Sequence, residues 1–470
     1  MPAVATHRHE RWRPGVDLYL VVVVLALCAP FLREWSTQPA SRYLFTVAVV
    51  DHQSQQLDPY RESLGLDFAL VKGHAYSDKA PYQPLLAVPV YGLYRALGGE
   101  PFPEHVDAAT VGHRADIGLW LVTLMSSVLP AALLIVLVRR YVARQFPADA
   151  TKVALALMCG TVMLPFSSLL FGHVLAATVA FAAWAVLRRD GPTPWSLFCG
   201  GLLLGAGLGV EYPQVFVAGV VGIYCLFAHR ARAVFVAGGG LVATAPLLIF
   251  NQVTFGGPFT TAYQGYLPNF QGGGAFGVYN LVTPDLHEFA LALVGDRGLL
   301  SLTPIMVMAL LGCVAAIRGK GRSRADAIVA LILFGLYLLA TTGKDGYGGS
   351  SAGPRYLIPV IPFFAVPLAE AWRRWRPMAV FTAALSALWM VLATLTDPLY
   401  QDGGIASIDW LRKAVAGEFD KSIPGALIAS PAILLMVGVA GVSAWRALAA
   451  DGERREPRAV GDDPLLTTSG

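Results

Sequence analysis

Long runs of apolar residues, separated by short arginine clusters, are the feature that most constrains this chain of 470 residues. An apolar helix of about 20 residues is long enough to cross a bilayer. Two of the runs, 172–187 and 196–210, are short enough to be half-spans. All the runs lie near residues 16–32, 117–138, 152–170, 172–187, 196–210, 213–228, 234–250, 299–317, 326–342, 356–371, 378–396 and 426–446. The pattern predicts an all-α polytopic membrane protein with about twelve transmembrane helices.

The composition supports lipid as the main solvent of the chain. Hydrophobic residues make up 55% of the sequence and charged residues only 14%, whereas soluble proteins contain about 25% charged residues. This excludes a string of soluble domains, a disordered chain and an ordinary nucleic-acid binder. The five cysteines lie in apolar runs without metal-ligand spacing, so neither a disulfide framework nor a zinc site is expected.

The basic clusters between the runs predict the orientation in the membrane. Arginine and lysine are retained on the cytoplasmic side, and the clusters occur in every second loop. They comprise Arg8/Arg11/Arg13, Arg139/Arg140/Arg144, Arg188/Arg189, Arg230/Arg232, Arg318/Lys320/Arg322/Arg324, Arg373/Arg374/Arg376 and the tail from Arg446 to Arg458. We therefore expect a multi-pass protein of the cell membrane with both termini in the cytoplasm. Residues 1–450 form the membrane domain in this prediction, and residues 451–470 form a disordered cytoplasmic tail.

The long connecting segments all fall on the opposite, extracytoplasmic side. They are residues 33–116, 251–298, 343–355 and 397–425. Loops longer than about 12–15 residues usually have a function. Within the first segment, residues 41–50 and 84–97 are apolar but too short to span, so we expect helices lying in the membrane interface. The arrangement predicts one functional face outside the cytoplasmic membrane.

Polar residues between these two short helices are candidates for chemistry. Asp51, Asp58 and Asp78 lie there, and Lys79 follows directly. Carboxylates near a membrane surface act as bases, metal ligands or counter-ions, although a solvated loop has the same residue types. His74 and His173 lie on the same face without a ligand spacing. No cofactor is therefore predicted with certainty, and a divalent metal stays open.

Several short motifs together resemble the integral-membrane GT-C glycosyltransferases, in particular the bacterial lipid A aminoarabinose transferases and the protein O-mannosyltransferases. Arg42-Tyr43 matches an Arg-Tyr pair in the first outer helix of that group. The string 73–81 (GHAYSDKAP) matches its acid-Lys-Pro-Pro turn, and 353–359 (GPRYLIP) matches an Arg-Tyr-hydrophobic-Pro run. The segment 295–300 (GDRGLL) is also similar. The resemblance extends over residues 10 to about 375.

The resemblance implies a membrane glycosyltransferase that uses a polyprenyl-phosphate sugar. It would transfer the sugar, with inversion, to a glycan, lipid or protein acceptor of the envelope on the extracytoplasmic face. Fixed cations aimed at the lipid phosphate lower the barrier as the glycosidic bond breaks. The predicted phosphate-binding residues are Lys79, Arg355, Arg297 and Arg42. The predicted bases are Asp58, then Asp51, with Asp78 orienting Lys79 or holding a metal.

Further residues are predicted to line the substrate pocket because they lie at the outer ends of apolar runs or in the outer loops. They are His74, Tyr76, His173, Glu211, Asp345, Tyr347 and Tyr356. The bilayer itself is the other expected partner.

Two departures from the family pattern leave alternatives open. Relatives carry an acid before the Arg-Tyr pair, where this chain has residues 39–41 (PAS), and another between the third and fourth spans, where it has 171–173 (FGH). Another acid must act as the base, or the protein is a non-catalytic relative of the same fold. A transporter or flippase of envelope lipids or sugars is the remaining alternative. The unequal loops, and halves without detectable similarity, count against the repeat architecture of transporters.

Overall fold

The computed structural model describes residues 14–31, 35–112, 116–264, 266–268, 285–319, 321–342, 347–401, 404–419 and 430–452. These residues are mostly helical. The helices of the first half are α1 (Pro14–Cys28), α2 (Thr37–Asp51), α3 (Tyr82–Ala96), α4 (Ala108–Gly112), α5 (Ile117–Thr123), α6 (Leu129–Ala143), α7 (Ala150–Cys159), α8 (Met163–Ser167), α9 (Gly172–Leu187), α10 (Pro194–Val210), α11 (Gln214–His229) and α12 (Ala233–Phe255). The second half contains α13 (Leu286–Val294), α14 (Leu299–Leu302), α15 (Ile305–Arg318), α16 (Ser323–Thr342), α17 (Ala365–Arg374), α18 (Arg376–Leu395), α19 (Ala406–Ala416) and α20 (Ser430–Gly452).

Short irregular helices and one hairpin complete the fold. Leu124–Val128 forms a π-helical turn between α5 and α6, and Asp58–Ser63, Arg230–Arg232 and Arg355–Phe364 form 3₁₀-helices. Strands β1 (Phe68–Val71) and β2 (His74–Ser77) pair antiparallel. Lys72 and Gly73 both have positive φ angles, as a two-residue turn between such strands requires.

The described helices include several that are long and apolar enough to cross a membrane. Five segments satisfy this criterion, and the bent pair α13–α14 and α15 makes a sixth. The five are Ile117–Ala143, Gln214–Phe255, Ser323–Thr342, Arg376–Leu395 and Ala432–Asp451. Gln214–Phe255 has 42 residues and is interrupted at Arg230, whose φ is 52°, so it contains two helices. The protein is thus a multi-pass membrane protein, and the total of twelve spans stays a prediction.

Three apolar runs that we predicted as single helices are broken, and these predictions were wrong. The run 152–170 is divided between α7 and α8. The run 299–317 bends by 95° where Pro304 removes a backbone donor. The run 356–371 begins as the 3₁₀-helix Arg355–Phe364, which contains Pro359 and Pro362, and becomes α-helical only at Ala365.

The hydrophobic core has two main parts. The larger part lies among the apolar helices, including α1, α6, α7, α9, α15 and α16. The second lies in the segment between α1 and α5, around α2, α3 and the hairpin. Residues 39–48 of α2 are all buried, so the predicted interfacial position of 41–50 was wrong. On α3, Leu85, Leu86 and Leu93 are exposed, and the interfacial position of 84–97 stays a prediction.

Candidate functional site

A buried cluster of charges forms where the end of β2 meets α2. The Lys79 ammonium lies 2.6 Å from Asp78 Oδ2 and 3.4 Å from Asp67 Oδ2. The Ser41 hydroxyl donates to Asp78 Oδ1 at 3.0 Å, and the Thr37 hydroxyl donates to Asp67 Oδ2 at 3.0 Å. All three charged side chains are less than a tenth exposed. The Lys79 ammonium is therefore the shared counter-ion of two buried carboxylates.

The two carboxylates respond differently to this environment. Burial opposes ionisation of Asp67, but the Lys79 ammonium and the Thr37 hydroxyl outweigh it and hold the pKa of Asp67 below its ordinary value of 3.8. Burial raises the pKa of Asp78 above that value; Lys79 offsets this only in part, and the charge of Asp67 adds to the rise. Burial alone would lower the pKa of Lys79, yet Asp78 and Asp67 raise it above 10.5. The environment thus favours the charged forms of Lys79 and Asp67 and disfavours the charged form of Asp78.

A second ion pair lies beside this cluster, on the face of α2 that points toward α9 and α10. Arg42 is 2% exposed and donates to Glu211 Oε1 at 2.6 Å. Its other nitrogens donate to Gln83 Oε1 at 2.6 Å and to Gln38 Oε1 at 3.0 Å. Glu211 is the C-cap of α10, and His173 Nδ1 lies 3.7 Å from its carboxylate. The guanidinium is thus fixed by three acceptors.

A glycine makes room for this pair at the start of α9. A Cβ on Gly172 would overlap the Glu211 carboxylate and approach Arg42 Nη2 to 2.9 Å. Only glycine allows the carboxylate to reach Arg42 at this point.

Arg355 lies near the charge cluster, as the first residue of the 3₁₀-helix Arg355–Phe364. Its guanidinium carbon lies 5.3 Å from the Phe171 ring centre and 5.4 Å from that of Tyr356. Its Nη1 donates to the Ser350 carbonyl oxygen at 3.2 Å, and its buried Nε has no hydrogen-bond partner among the described residues. Its positive charge helps to lower the pKa of Asp67, so it lies within electrostatic range of the cluster. Arg355 is a cation held by rings and a carbonyl group, without a carboxylate in ion-pair contact among the described residues.

The Tyr356 ring lies between Arg355 and His173, the histidine of α9. The rings of His173 and Tyr356 pack edge to face with their centres 5.6 Å apart. His173 and Tyr356, which were predicted as pocket residues, therefore lie together with Arg355.

Two predicted bases, Asp58 and Asp51, form contacts outside the charge cluster. Asp58 accepts from His74 Nδ1 and from the backbone of Ala75, both at 2.7 Å, near the protein surface. Asp51 accepts from Arg95 Nε at 2.7 Å. Neither carboxylate contacts Arg42, Lys79 or Arg355 among the described residues. The structure brings only Asp78 of the three candidates into the charge cluster.

Arg297 is also separated from the cluster by its own contacts. Its Nη1 donates to carbonyl oxygens of Gly349, Ser351 and Tyr400 at 3.4, 3.2 and 2.7 Å. Its guanidinium stacks on Tyr347, 4.3 Å from the ring centre. Arg297 and Tyr347 therefore join three loops in the described structure. Asp345 lies outside the described residues.

Tyr76 completes the predicted set and has a structural contact. Its hydroxyl accepts from Gln56 Nε2 at 3.2 Å, at the edge of the hairpin.

Sequence reasoning missed three residues of the site. Asp67 belongs to no motif and reaches Lys79 through the hairpin. Gln83, on the first turn of α3, holds Arg42 and also donates to the Phe171 carbonyl oxygen at 2.9 Å. Tyr263 is partly buried and lies near Asp78, Tyr356 and Glu211; desolvation, followed by the charge of Asp78, raises its pKa well above 10.0. The segment 251–298 contains several aromatic residues, and nothing in their spacing selects Tyr263.

The cluster does not fit a divalent metal. The Lys79 ammonium takes the place between the carboxylates of Asp67 and Asp78 that a cation would need. Among the described residues, no group of three or more His, Cys, Asp or Glu side chains converges.

No protein-family model matches the sequence, and no curated protein matches it by sequence. Solved structures do match. Two are crystal structures of ArnT from Cupriavidus metallidurans, in the apo state and bound to undecaprenyl phosphate, with TM-scores of 0.53 and 0.52. They are 15% and 14% identical to this chain, and each match covers 93% of this chain and 76% of the ArnT chain.

The chain has the GT-C fold. This confirms, for the fold, the resemblance that the motifs at 42–43, 73–81 and 353–359 predicted. An apo oligosaccharyltransferase from Archaeoglobus fulgidus also matches, at 12% identity and a TM-score of 0.48, over 94% of this chain and 56% of its own. In the GT-C fold of this chain, the charge cluster lies in the segment between α1 and α5 and at the adjoining ends of α9 and α10.

Proposed function

We propose that the protein is a membrane glycosyltransferase that takes a sugar from a polyprenyl-phosphate donor and transfers it, with inversion, to an envelope acceptor on the extracytoplasmic face. The observation that carries the proposal is Arg355, a largely buried cation without a carboxylate partner in the described structure, beside two complete ion pairs. A negatively charged group of the substrate would complete the charge balance there.

The donor phosphate supplies that charge. As the glycosidic bond breaks, negative charge grows on the phosphate oxygen, and a fixed cation stabilises it more strongly away from water. Arg355 would contact the phosphate first. Lys79 and Arg42 would add to the field from positions that their carboxylates and Gln83 already fix.

Asp78 is the proposed base. In the transfer, the acceptor hydroxyl oxygen forms a bond to the anomeric carbon, the bond from that carbon to the phosphate oxygen breaks, and polyprenyl phosphate leaves. The hydroxyl proton passes to the Asp78 carboxylate, whose raised pKa suits it to this task. Asp67 stays ionised and holds Lys79 in place.

At two positions this chain lacks an acid that the family carries. The contacts at these two positions support a catalytic protein over a non-catalytic relative. Ser41 replaces the acid before Arg42-Tyr43, and its hydroxyl bonds to Asp78. Gly172 lies where the second acid is expected, and the Glu211 carboxylate occupies the adjoining space. Carboxylates from other parts of the chain thus stand beside both positions.

A deletion strain complemented with variants tests the proposal. We expect the strain to lose one envelope sugar and to accumulate the polyprenyl-phosphate form of that sugar, since the donor is no longer consumed. The wild-type gene should restore the sugar, whereas Arg355→Gln should not. Arg61→Gln is the matched control, because Arg61 is exposed and contacts only the Phe68 ring in the described structure. Full restoration by Arg355→Gln would contradict the proposed site, and an unchanged glycan and lipid profile in the deletion strain would contradict the activity.

A further inference from the structure

Helix α19 is a short amphipathic helix between two candidate membrane spans. It has 11 residues, Ala406–Ala416, and measures about 16 Å, which is too short to cross a bilayer. The preceding helix, α18, and the segment 432–451 of α20 both meet the criteria for a span. α19 packs against α18, so it lies at the membrane surface where that span ends.

One face of α19 is apolar and exposed. Ile408, Leu411 and Val415 follow the i, i+3, i+7 spacing of one helix face, and their exposed fractions are 50, 46 and 82%. Ile405, just before the helix, is 56% exposed. Exposed apolar side chains on α18 and α20 are expected of spans, but α19 also carries Asp409, Arg412 and Lys413 and is too polar to enter the bilayer core.

The opposite face of α19 is fastened to the chain that leads out of α18. The buried Trp410 ring donates from Nε1 to the Asp397 carbonyl oxygen at 3.0 Å, and Lys413 Nζ lies 2.7 Å from the Asp397 carboxylate. The Tyr400 hydroxyl donates to Asp409. These contacts join the helix and residues 396–401 into one packed unit.

That unit is joined to the loop that precedes Arg355. The Tyr400 carbonyl oxygen accepts from Arg297 Nη1 at 2.7 Å and from the Ser351 backbone at 3.0 Å. The adjacent Ser350 carbonyl oxygen accepts from Arg355 Nη1 at 3.2 Å. A continuous series of hydrogen bonds thus runs from α19 to the Arg355 guanidinium.

We propose that the apolar face of α19 is a lipid-binding surface, buried in the acyl-chain boundary of the bilayer, and that this anchor fixes the loop 347–355. The lipid bilayer is the occupant because α19 packs against one candidate span, α18, and lies between it and another, α20, in the chain. Amphipathic helices of this kind lie in the interface plane with charged residues toward the headgroups, and Arg412 at the edge of the face is placed for that.

Depth-dependent fluorescence quenching tests the location. The full-length protein, carrying a fluorescent amino acid at position 411 or at position 416, is placed in phosphatidylcholine nanodiscs with or without brominated acyl chains. Ala416 is an exposed residue on the other flank of the helix. We expect brominated lipids to quench the label at 411 about threefold more than at 416, and aqueous iodide to show the reverse order.

Equal quenching by iodide at the two positions, without quenching by brominated lipid, would overturn the proposal. Shielding of position 411 from both quenchers, in a protein that runs as a dimer, would also overturn it and would assign the face to a second copy.

Amide exchange tests the anchoring. In nanodiscs, Leu411→Asp combined with Val415→Asp should make exchange at the Ser351 amide about tenfold faster than in the wild type, because the helix no longer holds Tyr400 in place. Ala416→Asp, which adds one negative charge outside the apolar face, should leave it unchanged. Far-UV circular dichroism identifies a variant that has lost its fold. Unchanged Ser351 protection in a folded double variant would overturn the coupling between α19 and the loop.

Discussion

At the scale of single residues, Lys79 has the largest structural role in the site, because two buried carboxylates share its ammonium. Removal of one partner from a buried ion pair leaves an uncompensated charge and costs about 3–5 kcal/mol. Lys79→Ala should therefore lower the melting temperature of the purified protein clearly. Lys152→Ala is the control, since Lys152 pairs with Asp149 one helical turn away and is partly exposed, a contact worth about 1 kcal/mol or less.

A second substitution separates lost charge balance from lost packing. Adding Asp78→Asn to Lys79→Ala should recover part of the melting temperature, because one of the two unpaired carboxylates is then neutral. A double variant no more stable than Lys79→Ala would mean that the stability lost in Lys79→Ala does not come from the unpaired carboxylates.

The raised pKa of Asp78 predicts the pH dependence of the reaction. In the proposed mechanism Asp78 acts as the base and must be ionised, so we expect the rate to fall as the pH drops through its raised pKa, which lies above 3.8. Asp67→Asn removes a negative charge that raises this pKa. We expect the acid limb of the kcat/KM profile to move to lower pH in that variant. The measurement is the profile of the purified enzyme, and an acid limb that stays in place or moves upward would contradict the assignment of Asp78.

The residues of the charge cluster that the sequence predicted are those that lie within its motifs. Lys79, Asp78 and Arg355 lie within short strings that predicted their neighbourhood, and the structure brings them to one side of α2. Asp67 lies in no motif, and its role depends on a hairpin that folds it back onto Lys79. Asp58 was predicted as a base from its position alone, since the sequence does not reveal that His74 binds its carboxylate.

At the scale of helices, close contact between α10 and α12 depends on glycine. A Cβ on Gly201 would overlap the Val236 carbonyl oxygen, and one on Gly239 would overlap that of Phe198. Backbone atoms cannot move aside as a flexible side chain can, so the helices would have to separate. Small residues allow this kind of packing in membrane helices, where no hydrophobic force draws helices together.

We expect Gly201→Ala to lower the melting temperature of the protein in lipid nanodiscs, and Gly201→Leu to lower it further. Gly219→Ala is the matched control, because a Cβ on Gly219 of α11 would meet nothing within 4 Å. Alanine forms helices better than glycine, so helix propensity alone would stabilise both variants. Comparable losses at positions 201 and 219 would contradict a specific role of Gly201 in the crossing.

The breaks within apolar runs show that hydropathy does not predict where a helix is interrupted. Apolar length identified the runs, but hydropathy does not register a missing backbone donor. The chain bends at Pro304 and forms a 3₁₀-helix across Pro359 and Pro362. The burial of α2 has a different cause: Arg42 on this helix is held by partners from distant parts of the sequence.

At the scale of the whole molecule, one buried ion-pair network joins the two ends of the described chain. Arg139, at the end of α6, lies 2.9 Å from Asp17 at the start of α1 and 3.8 Å from Asp451 at the end of α20. Arg140 joins the network through Asp17 at 2.7 Å. The start of α1 and the end of α20 therefore lie together beside this arginine cluster, and we expect both on one side of the membrane.

From the positive-inside rule we expect that side to be the cytoplasm and the hairpin of the charge cluster to lie on the outer side. His74 is about half exposed on β2, and Arg189 is exposed after α9 within a predicted cytoplasmic cluster. A membrane-impermeant thiol reagent added to intact cells should label His74→Cys and should label Arg189→Cys only after the cells are opened, with the wild-type signal subtracted for the native cysteines. The reverse pattern would place the cluster in the cytoplasm, where nucleotide sugars are available, and would remove the reason for a lipid-linked donor.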